Sequence, residues 1–261
     1  MPFFPLVSAS AHPLTSVERC ATGIEGLDNI LDGGIPRGNT VLVSGSCGTG
    51  KTTLSLEFLV RGAMAGERSL FLSVTEASPK ILQNLSTFEF FDPKVMADHH
   101  LTFLDVPVLY EKLGLQREEL SSEDIDLFVA SIVKLASELK VQRLVLDSIT
   151  SVCYRVRQDE KIRDLILKLG KGLSDIDCTS ILVSEIGPQE NRYSLYGVEE
   201  AIADGVLLLG NVQRRGDLLR TLKVIKMRGT THSRAQYVLD LTPLGILLAP
   251  YLKGGRSWEG T

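Results

Sequence analysis

The chain has 261 residues, 44% of them hydrophobic and 23% charged, with a formal net charge of −4 and a pI near 5.7. Such a composition excludes a disordered or collagen-like chain and speaks against a protein whose main task is wrapping nucleic acid, although a local basic stripe can hide in the average. Cys20, Cys47, Cys153 and Cys178 are scattered, with no C-x-x-C pair, so a zinc or disulfide framework is not expected and a reducing cytoplasm is.

Residues 1–16 are apolar in places but have no Lys or Arg ahead of their apolar run, which prolines interrupt; they read as a loose tail rather than a signal peptide. No window approaches a membrane span. The segment 22–38 reads as a short helix and a Gly/Pro turn leading into an apolar strand at 40–44. A helix is expected after the glycine-rich stretch that follows, then a strand at 69–74. Next come a helix from Ser78 (N-cap) and Pro79 to about Phe88, and a strand at 101–106. Ser121 and Ser122 cap a helix whose apolar positions Ile125, Phe128, Val129, Ile132, Ala136 and Leu139 follow the 3.6-residue period. A buried strand at 143–147, a helix at 158–173 and a strand at 179–185 complete the alternation. It predicts an α/β fold, a mostly parallel sheet with helices on both faces. Strands within 206–209, 218–227, 236–241 and 245–248, joined by short turns, should add antiparallel hairpins to the sheet edge. Residues 17–250 are expected to form one domain and 251–261 a second loose tail.

Chemistry concentrates at Gly45-Ser46-Cys47-Gly48-Thr49-Gly50-Lys51-Thr52, which satisfies G-x-x-x-x-G-K-[ST] at every fixed position. Its glycines allow successive N–H groups to curl around an anion. Lys51 offers a point charge to the outer phosphates, Thr52 a hydroxyl to Mg²⁺, and Thr53 continues into a helix whose positive end faces the phosphates. Asp147, closing an apolar strand, suits a Mg²⁺ held through its water shell. Glu76 ends the strand after the loop's helix and can orient or deprotonate an attacking water. Lys226 and Arg228, two apart on a strand, point to one face; they are either cations for phosphoryl transfer, supplied by a neighbouring subunit, or the protective charges of a solvated edge strand. Cys47 lies where oxidation would block a nucleotide, the simpler reading being a tolerated small residue.

These residues converge on one family. Thr22-Gly-Ile-Glu-Gly-Leu-Asp28, Gly33-Gly-Ile-Pro-Arg-Gly38, the phosphate loop, Glu76-Ala-Ser-Pro79, Leu146-Asp-Ser148, Tyr196-Gly-Val-Glu-Glu-Ala-Ile-Ala-Asp204 and Lys226-Met-Arg-Gly-Thr-Thr-His232 together resemble the KaiC-like branch of the RecA/RadA P-loop ATPases over roughly 17–250. The resemblance implies a RecA-like core, ATP and Mg²⁺ as cofactors, and a homo-oligomeric ring, a hexamer, with nucleotide at the subunit boundaries. It also implies that Lys226, Arg228 and His232 act on the neighbour's ATP. Two departures matter. The family's Glu-Glu pair is here Glu76-Ala77, which implies slow hydrolysis with Glu76 as base. Glu200-Ala201 stands where the clock protein's second domain carries its Ser-Thr pair, so autokinase activity is not expected.

Three readings of function follow. The first is a ring ATPase serving as a conformational or signalling switch toward a protein partner. The second is a recombinase- or helicase-like motor holding single-stranded DNA in the channel, for which Tyr154-Arg155-Val-Arg157 and Arg192-Tyr193 with Tyr196 would be stacking loops. The third is a nucleotide-binding scaffold with negligible turnover.

Overall fold

The computed structural model describes residues 17–187 and 192–251; the two expected tails, apart from Tyr251, lie outside the described residues. In chain order the elements are β1 (Arg19–Cys20), α1 (Leu27–Ile30), β2 (Ile35–Pro36), β3 (Thr40–Gly45), α2 (Lys51–Met64), β4 (Ser69–Ser73), α3 (Ser78–Leu85), α4 (Lys94–Ala97), β5 (Leu101–Asp105) and α5 (Val106–Lys112). They continue with α6 (Ser122–Glu138), β6 (Arg143–Asp147), α7 (Ile149–Val156), α8 (Asp159–Ser174), β7 (Thr179–Glu185), α9 (Glu199–Ile202), β8 (Gly205–Arg214), β9 (Asp217–Met227), β10 (Gln236–Thr242) and β11 (Gly245–Pro250). Among the described residues nine strands form one sheet in the order β11-β10-β9-β8-β3-β7-β6-β4-β5. From β8 to β5 neighbours run parallel, and β8, β9, β10 and β11 pair antiparallel. The fold is thus the expected α/β class, a parallel core extended by antiparallel hairpins.

Side chains of the central strands alternate between two cores, as a pleat with both faces covered requires. Val41, Val43, Phe71, Val145, Ile181 and Val183 pack on the face carrying α2 and the hairpin strands. Leu42, Leu70, Leu72, Leu144, Leu146 and Leu182 pack against α6, α7 and α8 on the other. Helix α6 opens with a capping box: the Ser121 hydroxyl accepts the Asp124 amide (3.2 Å) and the Asp124 carboxylate accepts the Ser121 amide (2.9 Å). The β8–β9 hairpin turns at Arg215-Gly216, both with positive φ (52° and 95°), the geometry that matches strand twist.

Three local readings change. Helix α3 starts one residue earlier than Ser78 capping would place it: Ala77 is the N-cap, and the Ser78 amide donates to Asp105 Oδ1 (3.0 Å). A carboxylate from the end of the adjacent strand β5 thus takes over the capping task. Val106-Pro107 begins helix α5 instead of ending a strand, because proline in a first helical turn forfeits no helical hydrogen bond. Tyr154 and Arg155 lie on helix α7 rather than in a loop.

One buried charge cluster sits at the foot of the sheet. Arg143 is 3% exposed and donates to Glu67 and to the Phe58 carbonyl (2.9 Å), while Arg37 reaches Glu67 from the other side (2.7 Å). Gly62 makes room for it: a Cβ there would lie well inside contact distance of the Arg143 guanidinium.

Candidate functional site

Strand β3 ends at Gly45 and helix α2 begins at Lys51, so the glycine-rich stretch spans the turn at the carboxyl edge of the sheet. Gly48 and Gly50 adopt φ of 75° and 98°, which a side chain would strain. Gly45 is held by space, since a Cβ there would meet the Leu209 carbonyl oxygen at 2.5 Å and Thr49 Oγ1 at 2.8 Å. The Thr49 hydroxyl donates to the Ser46 carbonyl (2.8 Å), and Lys51 Nζ folds back to the same oxygen (2.9 Å). No side chain caps the first amides of α2 and its first turn carries no acid, leaving those N–H groups for an anion.

Thr52 and Asp147 meet across the cleft, the Thr52 hydroxyl donating to Asp147 Oδ2 (2.7 Å). Cys47, Gly48, Gly50, Lys51, Thr52 and Thr53 line a cavity of about 370 Å³, closed on its other sides by Asp147, Glu185, Arg220 and Leu241. Burial pushes the Lys51 ammonium below its ordinary pKa, while Glu185 and Asp147 pull it back up. Burial likewise pushes Asp147 up, opposed by the Thr52 hydrogen bond and by Lys51 and reinforced by Glu185 and Glu76. A cation and a carboxylate that are both penalised by desolvation are set to gain from a ligand carrying both charges. Among the described residues no group of three or more His, Cys, Asp or Glu is placed to hold a metal by itself. A Mg²⁺ at Thr52 and Asp147 would therefore take its remaining oxygens from phosphates and water, as this hard ion does. The free amides, the lysine and the Thr–Asp pair fit a Mg–nucleoside triphosphate.

Glu76 lies three residues beyond β4 on the same sheet edge. Its carboxylate pairs with Lys80 (2.9 Å) and borders a second cavity of about 210 Å³ that shares Thr52 and Thr53 with the first. Lys226, Arg228 and His232 lie elsewhere. Lys226 pairs with Val206 and Met227 with Gly205, which lies beside Val41 near the start of β3. The loop follows the other end of β3, five residues on, or about 16 Å away at the rise of an extended strand. Lys226 Nζ donates to the carbonyls of Glu200 (3.1 Å), Ala201 (3.3 Å) and Ala203. Arg228 is bound to Asp204 (3.0 Å) and to the Ile202 carbonyl (3.2 Å). His232 Nδ1 lies 3.1 Å from the Ser233 carbonyl, in a segment docked on α1. Lys226 lies on β9, but Arg228 falls one residue past the strand's end at Met227, not on the strand as expected. Strand β9 is not a sheet edge, because it lies between β8 and β10, but its last residues run beyond the pairing with β10.

Of the residues read as stacking loops, the Arg155 guanidinium lies 4.2 Å from the Tyr110 ring centroid and donates to the Leu115 carbonyl (2.6 Å). Arg157 pairs with Glu119 (3.8 Å), and Tyr154 is 61% exposed, edge-on to Tyr196. Two charged residues of the main cavity escaped sequence reasoning. Glu185 carried the same signal as Asp147, an acid closing an apolar strand, and pairs in register with Gly45. Arg220 had no local signal: it arrives on β9 and donates to the Gly48 carbonyl (2.9 Å).

A parallel α/β sheet with a phosphate loop between strand and helix, and a Thr–Asp pair facing it, defines a RecA-like P-loop protein. Within that class the chain belongs to the KaiC ATPase family, since the family model described as "ATPase: KaiC" matches residues 20–253. It is 35% identical over 252 residues to a UPF0273 protein of Pyrococcus furiosus, covering 93% of this chain and 99% of that one. It is also 32% identical to the circadian clock oscillator protein KaiC of Acaryochloris marina, covering 90% of this chain but 44% of that protein. Among solved structures it resembles a KaiC-like protein from Pyrococcus horikoshii, with a TM-score of 0.76 and 32% identity over 90% of this chain and all of that one. Among the described residues no helix is long and apolar enough to cross a membrane.

Proposed function

We propose that this chain binds and slowly hydrolyses ATP with Mg²⁺ in a cytoplasmic hexameric ring, and that nucleotide state sets the ring's shape as a signal to a protein partner. The amides of residues 45–53 and Lys51 grip the triphosphate, and Thr52 and Asp147 hold Mg²⁺, which when bound neutralises charge on the outer phosphates. Glu76 orients the attacking water and accepts its proton. Lys226 and Arg228, with His232, act on the ATP of the adjoining copy. The observation that carries the reading is their place at the opposite edge of the sheet from their own phosphate loop. Cations so placed meet a triphosphate only across a head-to-tail interface, the kind that closes into a ring. Ala77, in place of a second acid, supports slow turnover.

Light scattering with and without MgATP, coupled to a phosphate-release assay, tests the proposal. ATP-dependent assembly with slow phosphate release is expected; a monomer that turns over ATP at every concentration would overturn it. Assembly without any release would favour the scaffold reading. The exposed Tyr154 favours a single-stranded DNA motor as a second reading, against which Arg155 is engaged within its own chain. Salt-dependent binding of an oligonucleotide would support that motor, and no binding at low salt would remove it.

A further inference from the structure

Asp204 is joined to Arg228 and to the foot of the phosphate-loop strand at the same time. Its Oδ1 accepts from the Arg228 guanidinium (3.0 Å) and its Oδ2 accepts the Thr40 amide (3.1 Å). Its own amide donates to the Thr40 carbonyl (2.8 Å), and its carbonyl accepts the Arg228 amide (2.8 Å). The Asn39 side chain adds a bond to the Arg228 carbonyl (3.2 Å). Thr40 is itself buried, its hydroxyl paired with that of Ser180 (2.9 Å). The guanidinium nevertheless stays accessible, with the Arg228 side chain 55% exposed against 30% for Asp204.

We infer that Asp204 is the positioning residue for Arg228, holding its guanidinium on the rigid foot of β3 so that it is presented in one orientation to a phosphate on a second copy of this chain. The inference rests on the proposed role of Arg228 in trans. An exposed arginine on a free strand end would have to be ordered each time it met a phosphate. A carboxylate locked by its second oxygen onto backbone removes that requirement, as supporting-shell carboxylates do for ligating side chains. Exposure matters here as well. A surface Asp–Arg pair contributes little to stability, so this one is better explained by orientation than by folding. The same bonds make the foot of one subunit's phosphate-loop strand the mount for the cation that serves its neighbour.

The test is a double-mutant cycle in steady-state ATP turnover on the assembled full-length protein, with Asp204→Ala, Arg228→Ala and the combination, and light scattering to confirm assembly. Arg228→Ala is expected to lower kcat about a hundredfold. Asp204→Ala is expected to lower kcat about tenfold with KM unchanged. The combination should be no slower than Arg228→Ala alone, because Asp204 acts through the arginine. Where Asp204→Ala fails to fold, the isosteric Asp204→Asn carries the test, with a smaller loss in kcat and the same unchanged KM. A normal kcat in the Asp204 variants beside a slow Arg228→Ala overturns the positioning role alone. So does a further loss when Asp204 is replaced in the Arg228→Ala background, or a loss expressed in KM. A normal kcat in Arg228→Ala overturns the trans role and the positioning role together.

Discussion

Replacing Lys51 with Met separates what the lysine costs the fold from what it gives the site. The side chain is 7% exposed and keeps one hydrogen bond, to the Ser46 carbonyl (2.9 Å). Met has nearly the same length and fills the same space, so without nucleotide the fold should change by less than about 1.5 kcal/mol. A charge-assisted hydrogen bond to phosphate contributes about 1.5–3 kcal/mol net, so the Kd for ATP should rise about a hundredfold. In a thermal scan with ATP at about 100 times the wild-type Kd, the wild type gains about 2.7 kcal/mol and the variant about 0.4 kcal/mol. For a chain of this size that corresponds to a Tm rise of about 5–10 °C against about 1 °C. pH supplies a second check. Burial holds the Lys51 pKa below 10.5, so between its folded value and 10.5 the unfolded chain binds more protons. Stability from this group therefore rises with pH across that window, and Lys51→Met should lack the rise. A variant that melts several degrees lower alone yet keeps the full ATP shift would refute the reasoning and make Lys51 a structural residue.

Two predictions concern the fold. Gly62→Ala drives a methyl group into the buried Arg143 guanidinium, so it should cost about 1–3 kcal/mol in a denaturant melt; an unchanged midpoint would contradict the packing described. Glu67→Gln leaves Arg143 without its carboxylate and should cost about 3–5 kcal/mol at neutral pH. Burial pushes the Glu67 carboxyl up, but the Arg37 hydrogen bond and the Arg143 charge outweigh it and hold its pKa below 4.5. The unfolded chain then binds more protons than the folded one, so the contribution is whole above pH 4.5 and lost as pH falls through the folded value. The difference between wild type and variant should accordingly narrow in acid, and urea melts showing a pH-independent difference would count against the assignment.

Much of the fold was legible because its signals are local. The continuous apolar runs at β3, β4, β6 and β7 announced strands buried on both faces, and the spacing of Ile125, Phe128 and Ile132 announced a helix on a sheet. Asp147 and Glu76 could be placed at the phosphate edge from strand direction alone. What stayed hidden depended on partners distant in sequence. Ser78 looked like a cap only because Asp105 was not visible as its competitor. Helix α7 was hidden because Ile149 to Val156 is short and its Arg155 is satisfied by carbonyls 38 and 40 residues away. Arg220 enters the cavity only because β9 runs back along β8, a register that no local pattern encodes. That same reversal puts Lys226 at the foot of the sheet, which gives the residue pair its proposed meaning.

Mixing Glu76→Gln subunits with Arg228→Ala subunits tests most directly whether the two groups meet between copies. Each variant alone should turn over ATP poorly. In a randomly mixed ring a competent site needs an intact Glu76 on one side and an intact Arg228 on the other, so an equal mixture should recover about a quarter of wild-type turnover. A mixture that never exceeds the average of its two parents would contradict the proposal.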